Sequence, residues 1–193
     1  MMKIIGLTGP IGAGKNVAAK ILARRKTAVI DADKLAHTLY KEQSPVWRKL
    51  VKAFGSKILN RGGKINRKKL GEIVFSDKRK LKQLNAIIHP QLKKLVLNQI
   101  NLVVVGWQLV VINAAVLEEI GLIPHVDKVW VVMASKDTRL KRLVKSGMSR
   151  KEAKLRIDAQ VSQKEYFRIA DVVIRNNGTL NSLKKQVLAL LSN

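Results

Sequence analysis

Short apolar runs, separated by glycines or by helical patterns, divide the first part of the chain into recognisable elements. Residues 3–7 (KIIGL) form one such run before a glycine-rich loop, which predicts a buried strand. Residues 16–26 carry apolar side chains, beginning with Val17, on one face of a predicted helix. Residues 27–30 (TAVI) predict a second strand that ends at Asp31. This order of strand, loop, helix and strand is typical of the opening βαβ unit of a parallel α/β fold.

The middle of the chain, residues 34–100, is mostly helical by pattern and shows no convincing buried strand. Breaks in the helical pattern are predicted at 44–45, 54–55, 61–63 and 89–90. The break at His89-Pro90 is expected to end one helix and to start another. We therefore predict a helical insertion between the opening βαβ unit and the rest of the fold.

Apolar runs return in the second half of the chain and predict three more buried strands, at 108–113, 128–134 and 171–176. Between the last two lies a basic helical pair that is broken at Ser146-Gly147, and a final helix carries Leu180 on its apolar face. We therefore predict an α/β fold in which a five-stranded parallel sheet has helices on both faces.

Length and pattern together indicate one domain with inserted lobes, since 193 residues are enough for a single full core. We assign residues 1–33, 101–135 and 168–193 to the core, 34–100 to a helical substrate-binding insertion and 136–167 to a helical lid. These boundaries follow the changes between strand patterns and helical patterns.

The chain has no cysteine, which excludes disulfides, thiolate metal sites and cysteine nucleophiles. This composition fits a reducing compartment, and we expect a cytoplasmic protein. No apolar run approaches the roughly 18 residues of a membrane span. The N-terminus has the pattern of a strand rather than that of a signal peptide.

The charge of the chain is unusual, because 38 Lys and Arg stand against 13 Asp and Glu, for a formal net charge of +25. Such a field attracts anions at long range. Nucleic acid, an anionic membrane surface and a highly phosphorylated small molecule are candidate partners, beside the plain alternative of a basic surface that keeps the protein in solution. Aromatic residues make up 4% of the chain, which argues against a single-strand binder that stacks bases.

The loop after the first strand, GPIGAGKN (residues 9–16), meets the P-loop pattern G-x-x-x-x-G-K-[ST] at seven of its eight positions. Glycines such as Gly9 and Gly14 let successive N–H groups form an anion nest, and the next helix presents its positive N-terminus. Lys15 adds a point charge for nucleotide phosphates. The departure is Asn16, where a Ser or Thr hydroxyl normally holds magnesium. We predict a nucleotide site in a fold of the P-loop NTPase type, at the carboxyl end of the first strand.

Two acids, Asp31 and Asp33, follow the second strand and are expected to lie close to the P-loop. Either acid is placed to accept a proton from an attacking hydroxyl or to help order Mg²⁺, and the structural alternative is that one of them caps the next helix. The third strand ends in Asn113, which brings no negative charge to a metal. We therefore predict that Asn16, Asp31 and Asp33 form the metal site.

Several basic residues are candidates for binding phosphate. Arg139 and Arg142 are three apart on a predicted helix after the fourth strand, and hence on one face of it. Arginines on a mobile lid neutralise charge that develops during phosphoryl transfer, although a solvated basic face is their commoner fate. Arg67 is a candidate for binding an anionic substrate. His89 is another candidate, but a lone histidine is more often structural.

Taken together, these segments resemble the dephospho-CoA kinase family along the whole chain. The blocks that carry the resemblance are IGLTGPIGAGK (5–15), VIDADKLAH (29–37), FGSKIL (54–59), GGKINRKKLGEIVF (62–75), LNAIIHP (84–90), GLIPHVDKVWVV (121–132), RLKRLVKSGMS (139–149), DAQ (158–160) and ADVVIRNNGTL (170–180). The DAD, HP and ADVVI blocks are specific to that family rather than to P-loop proteins in general.

The resemblance implies transfer of the ATP γ-phosphate to the 3′-hydroxyl of dephospho-CoA, the last step of coenzyme A biosynthesis, with Mg²⁺ as the metal. It implies that Asp33 is the base, that Arg142 is a lid arginine, and that Arg67 and His89 lie on the substrate side. Lys15, Asp33 and Arg142 are the predicted catalytic residues. The predicted nucleotide-binding residues are Thr8, Gly9, Pro10, Ile11, Gly12, Ala13, Gly14, Lys15, Asn16, Val17, Arg139, Arg142, Asn176 and Gly178.

Four departures from the family pattern lie near the nucleotide or the metal. Asn16 stands for Ser or Thr, Asn113 for Asp and Ala115 for Pro, and Tyr166 stands where Lys or Arg is common. These departures bear on metal affinity and turnover more than on the fold or the substrate.

Two other functions stay open at this point. One is a kinase for another nucleotide or nucleoside. The other is a nucleic-acid-binding protein with an impaired P-loop, which the +25 charge, Asn16 and Asn113 would favour. We favour the dephospho-CoA kinase, because Lys15, Asp33 and Arg142 are all present where phosphoryl transfer needs them. The sequence leaves the oligomeric state open.

Overall fold

A parallel β-sheet forms the centre of the computed structural model, which describes residues 2–23, 26–103 and 106–191. Within these residues the sheet has five strands, in the order β2-β3-β1-β4-β5, and all neighbours pair in parallel. The strands are β1 (Lys3–Thr8), β2 (Thr27–Asp31), β3 (Leu109–Asn113), β4 (Lys128–Met133) and β5 (Val172–Arg175). The predicted five-stranded parallel sheet is confirmed, and each predicted strand end lies within one residue of the observed end.

Nine α-helices connect and cover the strands in the described part of the chain, and none of them is long and apolar enough to cross a membrane. The helices are α1 (Lys15–Leu22), α2 (Ala32–Thr38), α3 (Pro45–Phe54), α4 (Arg67–Phe75), α5 (Lys78–Val103), α6 (Lys136–Lys145), α7 (Arg150–Asp158), α8 (Gln163–Arg168) and α9 (Leu180–Ala189). Helices α2 to α5 fill the region of the predicted insertion. Helices α6 and α7 are the predicted basic pair, and α8 is a third, short helix that the pattern did not predict.

Side chains of the strands point alternately to the two faces of the sheet, and both faces are buried. In β3, Val110 and Ile112 belong to the apolar core that α3, α4 and α5 cover, whereas Val111 belongs to the core under α1 and α9. In β4, Val131 and Trp130 divide between the two cores in the same way. Helices therefore cover both faces of the sheet, as predicted.

Helix α5 runs unbroken through Pro90. The predicted break at His89-Pro90 is therefore wrong. Pro90 lies on the exposed side of the helix, while Ile88, Leu92 and Val96 are buried in the core. Packing of this apolar face holds the helix together across the one backbone hydrogen bond that proline cannot donate.

The apolar faces of α1 and α9 each differ from the predicted face at one position. Val17 is exposed, because Ala18 and Ala19 are the residues that face the core. Leu180 is 62% exposed, since it lies in the first turn of α9 ahead of the buried Leu183. Helical spacing thus predicted that both helices pack on the sheet, but it did not predict which residue is the first to be buried against the sheet.

Replacing Pro90 by alanine is expected to raise the free energy of unfolding by about 1 to 2 kcal/mol. Alanine restores the backbone donor and removes the ring that crowds the preceding turn, a gain that is partly offset because proline also restricts the unfolded chain. Urea unfolding followed by circular dichroism measures the change, with Gln91→Ala at an exposed neighbour in the same helix as the control. Equal stability of wild type and Pro90→Ala would contradict this account.

Candidate active site

The P-loop between β1 and α1 adopts a conformation that suits glycine at three positions. Gly9, Gly12 and Gly14 have φ angles of 148°, 76° and 99°. A Cβ on Gly9 would overlap the carbonyl oxygen of Val132, so the loop also lies directly against β4. Gly14 is the N-cap of α1, and no side chain of the described residues caps that helix. The N-terminus of α1 is therefore available to an anion.

The side chain of Lys15 lies inside the site, with 7% of the residue exposed. Its Nζ is 2.8 Å from Oδ2 of Asp33 and 2.7 Å from Oδ1 of Asn113. Oδ1 of Asn16 is 3.4 Å away. A buried ammonium group needs such partners, because an unpaired charge in a protein interior is strongly unfavourable. Oxygen atoms from α1, α2 and β3 together hold this cation.

Asn16 and Asn113 form a hydrogen-bonded pair beside Lys15. Asn113 is 2% exposed, and its Nδ2 donates to Oδ1 of Asn16 over 3.0 Å while its Oδ1 accepts from Lys15. Both ends of this buried amide therefore have partners. An ionised carboxylate at position 113 has no proton with which to make the bond to Asn16. Two separate departures in the sequence are thus one connected feature in the structure.

The two acids of the second βα junction have different environments. Asp33 lies in the first turn of α2 with its side chain 40% exposed. Asp31 is the N-cap of α2 and accepts from the N–H of Lys34 over 3.0 Å. Asp31 therefore caps a helix, which was the structural alternative to a role at the metal. Its role as a metal ligand stays a prediction. Asp33 keeps access to solvent, and a carboxylate that exchanges a proton with a substrate needs such access.

Backbone groups of Ala115 connect Asp33 to the end of β1. The Ala115 N–H donates to Oδ1 of Asp33 over 3.4 Å, and the buried Thr8 donates from Oγ1 to the Ala115 carbonyl over 3.4 Å. Proline, the residue of the family pattern at this position, has no N–H to donate. Alanine at position 115 therefore adds a donor for the carboxylate.

Arg67 is the first residue of α4 and lies within electrostatic range of α2. Partial burial and the Arg67 charge lower the pKa of His37, whereas Asp33 and Asp31 raise it. Arg67, Asp33 and Asp31 are therefore all within electrostatic range of His37.

His89 lies in α5 and lines a cleft of about 510 Å³, together with Lys78, Lys82, Asn85 and Glu119. Burial lowers the pKa of His89, and a hydrogen bond with the Glu119 backbone opposes that shift. The ring is therefore neutral at neutral pH. Partial desolvation raises the pKa of the Glu119 carboxyl. Two lysines at the same cleft make it suitable for an anionic group.

Arg142 reaches from α6 onto the P-loop. Its Nη1 donates to the carbonyl oxygens of Gly12 (3.4 Å) and Ala13 (3.3 Å), and its Nη2 donates to Oδ1 of Asn176 (3.5 Å). Asn176 follows β5 and donates from Nδ2 to the Ala13 carbonyl over 2.7 Å. Gly178 lies directly before the N-cap of α9. The structure thus brings Arg142 and Asn176 together on the same part of the loop.

Arg139 belongs to the same helix but is buried and contacts Gln160, which follows α7. It is 7% exposed, and its Nη1 donates to Oε1 of Gln160 over 3.4 Å. Burial lowers the pKa of Arg139, although Tyr166 and Asp158 raise it. Gln160 also accepts from the N–H of Ile11 in the P-loop over 2.9 Å. The sequence alone does not predict a role for Gln160, because its partner Ile11 lies 149 residues away. The one feature of the sequence that includes Gln160 is the DAQ block of the family resemblance.

The donors around Lys15 suit Mg²⁺ that arrives with a nucleotide. Among the residues that the structure describes, no three His, Cys, Asp or Glu side chains are close enough to hold a metal ion. Mg²⁺ commonly binds one or two protein oxygens and completes its shell with phosphates and water. The amide oxygen of Asn16 and the half-exposed carboxylate of Asp33 are hard donors of this kind. The chemistry of the donor set therefore fits the predicted metal.

Comparison with known proteins relates the chain to one family over nearly its full length. The family model for dephospho-CoA kinase matches residues 3–182. Dephospho-CoA kinase of Carboxydothermus hydrogenoformans is 39% identical, and the match covers 99% of this chain and 94% of that protein. The enzyme of Geobacillus kaustophilus is 40% identical, with 99% and 96% covered.

Solved structures agree with these matches. Dephospho-CoA kinase from Campylobacter jejuni superposes with a TM-score of 0.70 at 28% identity, covering 100% of this chain and 96% of that one. Shikimate kinase from Bacteroides thetaiotaomicron has a TM-score of 0.57 at 15% identity, with 100% of both chains covered. The second match shows a shared fold only.

The Asn16–Asn113 pair predicts a specific loss of stability in the ligand-free protein. Asn16→Ala is expected to lower the free energy of unfolding by about 1 to 2 kcal/mol, because the buried Nδ2 of Asn113 loses its acceptor. Urea unfolding measures the difference. Asn98→Ala, at an exposed position within α5, is the matched control and should change little. Equal stability of the two variants would show that the pair contributes nothing measurable.

Proposed function

Because this chain belongs to the dephospho-CoA kinase family, we propose that it transfers the γ-phosphate of ATP to the 3′-hydroxyl of dephospho-CoA, the last step of coenzyme A biosynthesis. Membership of this family makes it an ATP-dependent kinase. The observation that carries the proposal is the position of Lys15 Nζ, 2.8 Å from the Asp33 carboxylate beside the P-loop. Transfer of a phosphoryl group to a hydroxyl requires a cation that binds the phosphate and a carboxylate that accepts the hydroxyl proton, and the two groups are neighbours here.

ATP binds, in this proposal, at residues 8–17 and under the lid. The N–H groups of the P-loop and the N-terminus of α1 hold the phosphates, and Lys15 pairs with their charge. Arg142 already lies on the loop and offsets the negative charge that grows in the transition state. Asn176 and Gly178, at the end of β5, border the adenine.

Asp33 is the base in the proposed reaction. In the ligand-free protein Lys15 occupies its Oδ2. The phosphates of ATP offer Lys15 a competing anion, so nucleotide binding draws Nζ away and frees the carboxylate. The 3′-oxygen of the acceptor attacks the γ-phosphorus while the bond to the β,γ-bridging oxygen breaks and ADP leaves. Asp33 takes the hydroxyl proton.

Asn16 and Asp33 are the residues that would hold Mg²⁺, with Asp31 as a third candidate that also caps α2. When bound, the ion would neutralise part of the negative charge of the nucleotide phosphates. Asn113 carries no charge, so its part is to orient Asn16 and Lys15 through its two hydrogen bonds.

The acceptor approaches from the helical side of the site. Arg67 and Asp33 are both within electrostatic range of His37, and in this proposal Arg67 pairs with a phosphate of dephospho-CoA. His89 helps to shape the cleft beside Lys78 and Lys82. Two polyanionic substrates suit a chain of net charge +25, which steers them to the protein. The helical segment 34–100 is thus the proposed acceptor-binding insertion, and 136–167 is the proposed lid.

A coupled ADP-release assay with dephospho-CoA, AMP, CMP and adenosine as acceptors tests the proposal. We expect dephospho-CoA to be the preferred acceptor. Turnover of a mononucleotide or of adenosine without turnover of dephospho-CoA would instead indicate a different kinase. Salt-dependent binding of DNA or RNA, with no kinase activity on any acceptor, would indicate a nucleic-acid-binding protein.

Asp33→Asn is expected to lower kcat by about 10²- to 10⁴-fold, because the amide cannot take the proton. ATP affinity should be kept or improved, since Lys15 loses its competing internal partner. Steady-state kinetics and ATP titration measure the two effects. Asp77→Asn, at the helix cap before α5, is the matched control and should leave both unchanged. Near-normal turnover of Asp33→Asn would remove Asp33 as the base.

Asn16→Thr is expected to lower the Mg²⁺ concentration that gives the half-maximal rate, because a hydroxyl replaces the amide as the donor nearest the phosphates. The fold should be unchanged. Activity titrated with Mg²⁺ at fixed ATP measures the shift, and circular dichroism checks the fold. An unmoved Mg²⁺ requirement would show that position 16 does not lie at the metal.

A further inference from the structure

Ile11 of the P-loop is held by the lid as well as by its own loop. Its side chain packs against the small apolar cluster of Leu143, Ala153 and Ile157 in α6 and α7. Its backbone N–H donates to Oε1 of Gln160, which follows α7, over 2.9 Å. The lid thus holds this residue through both its side chain and its main chain.

Gln160 is in turn held by Arg139. The Nη1 of Arg139 donates to the same Oε1 over 3.4 Å, and its Nε is buried without a hydrogen-bond partner among the described residues. Arg139 also lies directly against the loop, because a Cβ on Gly12 would come within 2.9 Å of the Arg139 carbonyl oxygen. Arg139 therefore packs behind the P-loop, where its guanidinium supports Gln160.

We propose that Gln160 is a positioning residue of the nucleotide site that acts through the Ile11 peptide, and that Arg139 acts through Gln160 rather than on the phosphates directly. An anion nest depends on the orientation of successive peptide planes. The Ile11 amide comes just before Gly12, whose φ of 76° lies in the left-handed region. The hydrogen bond to Gln160 is partly buried, so it favours the one orientation of this peptide in which the Ile11 N–H meets its acceptor.

This inference rests on the proposed function only in taking ATP as the ligand. Two variants of Gln160 distinguish the effect of the accepting oxygen from the effect of side-chain volume. Gln160→Leu removes the oxygen at similar volume, whereas Gln160→Glu keeps an oxygen that accepts from Ile11 and pairs with Arg139. Gln163→Leu, at an exposed position at the start of α8, is the control.

ATP binding is measured by titration calorimetry without acceptor, on the full chain. Gln160→Leu is expected to raise the Kd for ATP by about 5- to 12-fold, the range that corresponds to the loss of one ordinary hydrogen bond. Gln160→Glu and Gln163→Leu are expected to stay within about threefold of wild type. Binding of dephospho-CoA without ATP should be unchanged in all three variants.

Three results would overturn the proposal for Gln160. They are an unchanged Kd for ATP in Gln160→Leu, equal weakening of ATP and dephospho-CoA binding in that variant, and Gln160→Glu as weak as Gln160→Leu. The second of these is the result that general loss of folding gives, because a partly unfolded chain binds both ligands more weakly.

A double-mutant cycle tests the part of Arg139. Arg139→Met is expected to weaken ATP binding, and the double variant with Gln160→Leu is expected to bind ATP no more weakly than Gln160→Leu alone. Additive effects would mean that Arg139 acts on ATP independently, and would overturn that part of the proposal. Arg139→Lys, which keeps the charge but shortens the reach to Gln160, serves in the same cycle if Arg139→Met does not fold.

Failure of this inference and failure of the proposed function give different results. A wild-type protein that binds ATP but transfers no phosphate to dephospho-CoA contradicts the proposed function, while the comparison of Gln160 variants still applies. Transfer to dephospho-CoA by wild type, together with unchanged ATP binding in Gln160→Leu, contradicts the inference alone.

Discussion

The buried ammonium group of Lys15 is the interaction on which the rest of the site depends. It connects α1, α2 and the end of β3 through its bonds to Asp33 and Asn113. A buried charge without partners is strongly unfavourable, so the ammonium group keeps the side chains of Asp33 and Asn113 beside the P-loop. The phosphates of a nucleotide need the same ammonium group. On the proposed function, the ligand-free site is assembled around an internal carboxylate that ATP replaces.

The P-loop is also supported by α6, by the residues after α7 and by the residues after β5. Arg142 and Asn176 bind carbonyl oxygens of the loop, and Gln160 binds the N–H of Ile11. The glycines allow the conformation of the loop, but these side chains satisfy the backbone groups that point away from the phosphate site. On the proposed function, the segment 136–167 is therefore part of the framework of the nest as well as its lid. The small core of the lid accordingly includes the side chain of Ile11.

The three departures from the family pattern at positions 16, 113 and 115 meet at one place. Asn113 bonds to Asn16 and to Lys15, and Ala115 donates its N–H to Asp33. The sequence shows each departure separately, but not that they share the Lys15–Asp33 pair, because Asn16 and Asn113 are 97 residues apart. Neutral amides replace a hydroxyl and a carboxylate there, which leaves Asp33 as the carboxylate that pairs with Lys15.

Sequence by itself determined the five strands, the glycine-rich loop and the family, because these depend on apolar runs, on glycine spacing and on motifs of neighbouring residues. Only the tertiary structure decided which distant side chains meet. The bond between Ile11 and Gln160 joins residues 149 apart, and no local pattern contains it. Packing also decided that α5 continues through Pro90, since its buried apolar face outweighs one missing hydrogen bond. Contacts of this kind depend on how the helices pack on the sheet, and that energy is set by the whole fold rather than by any single segment.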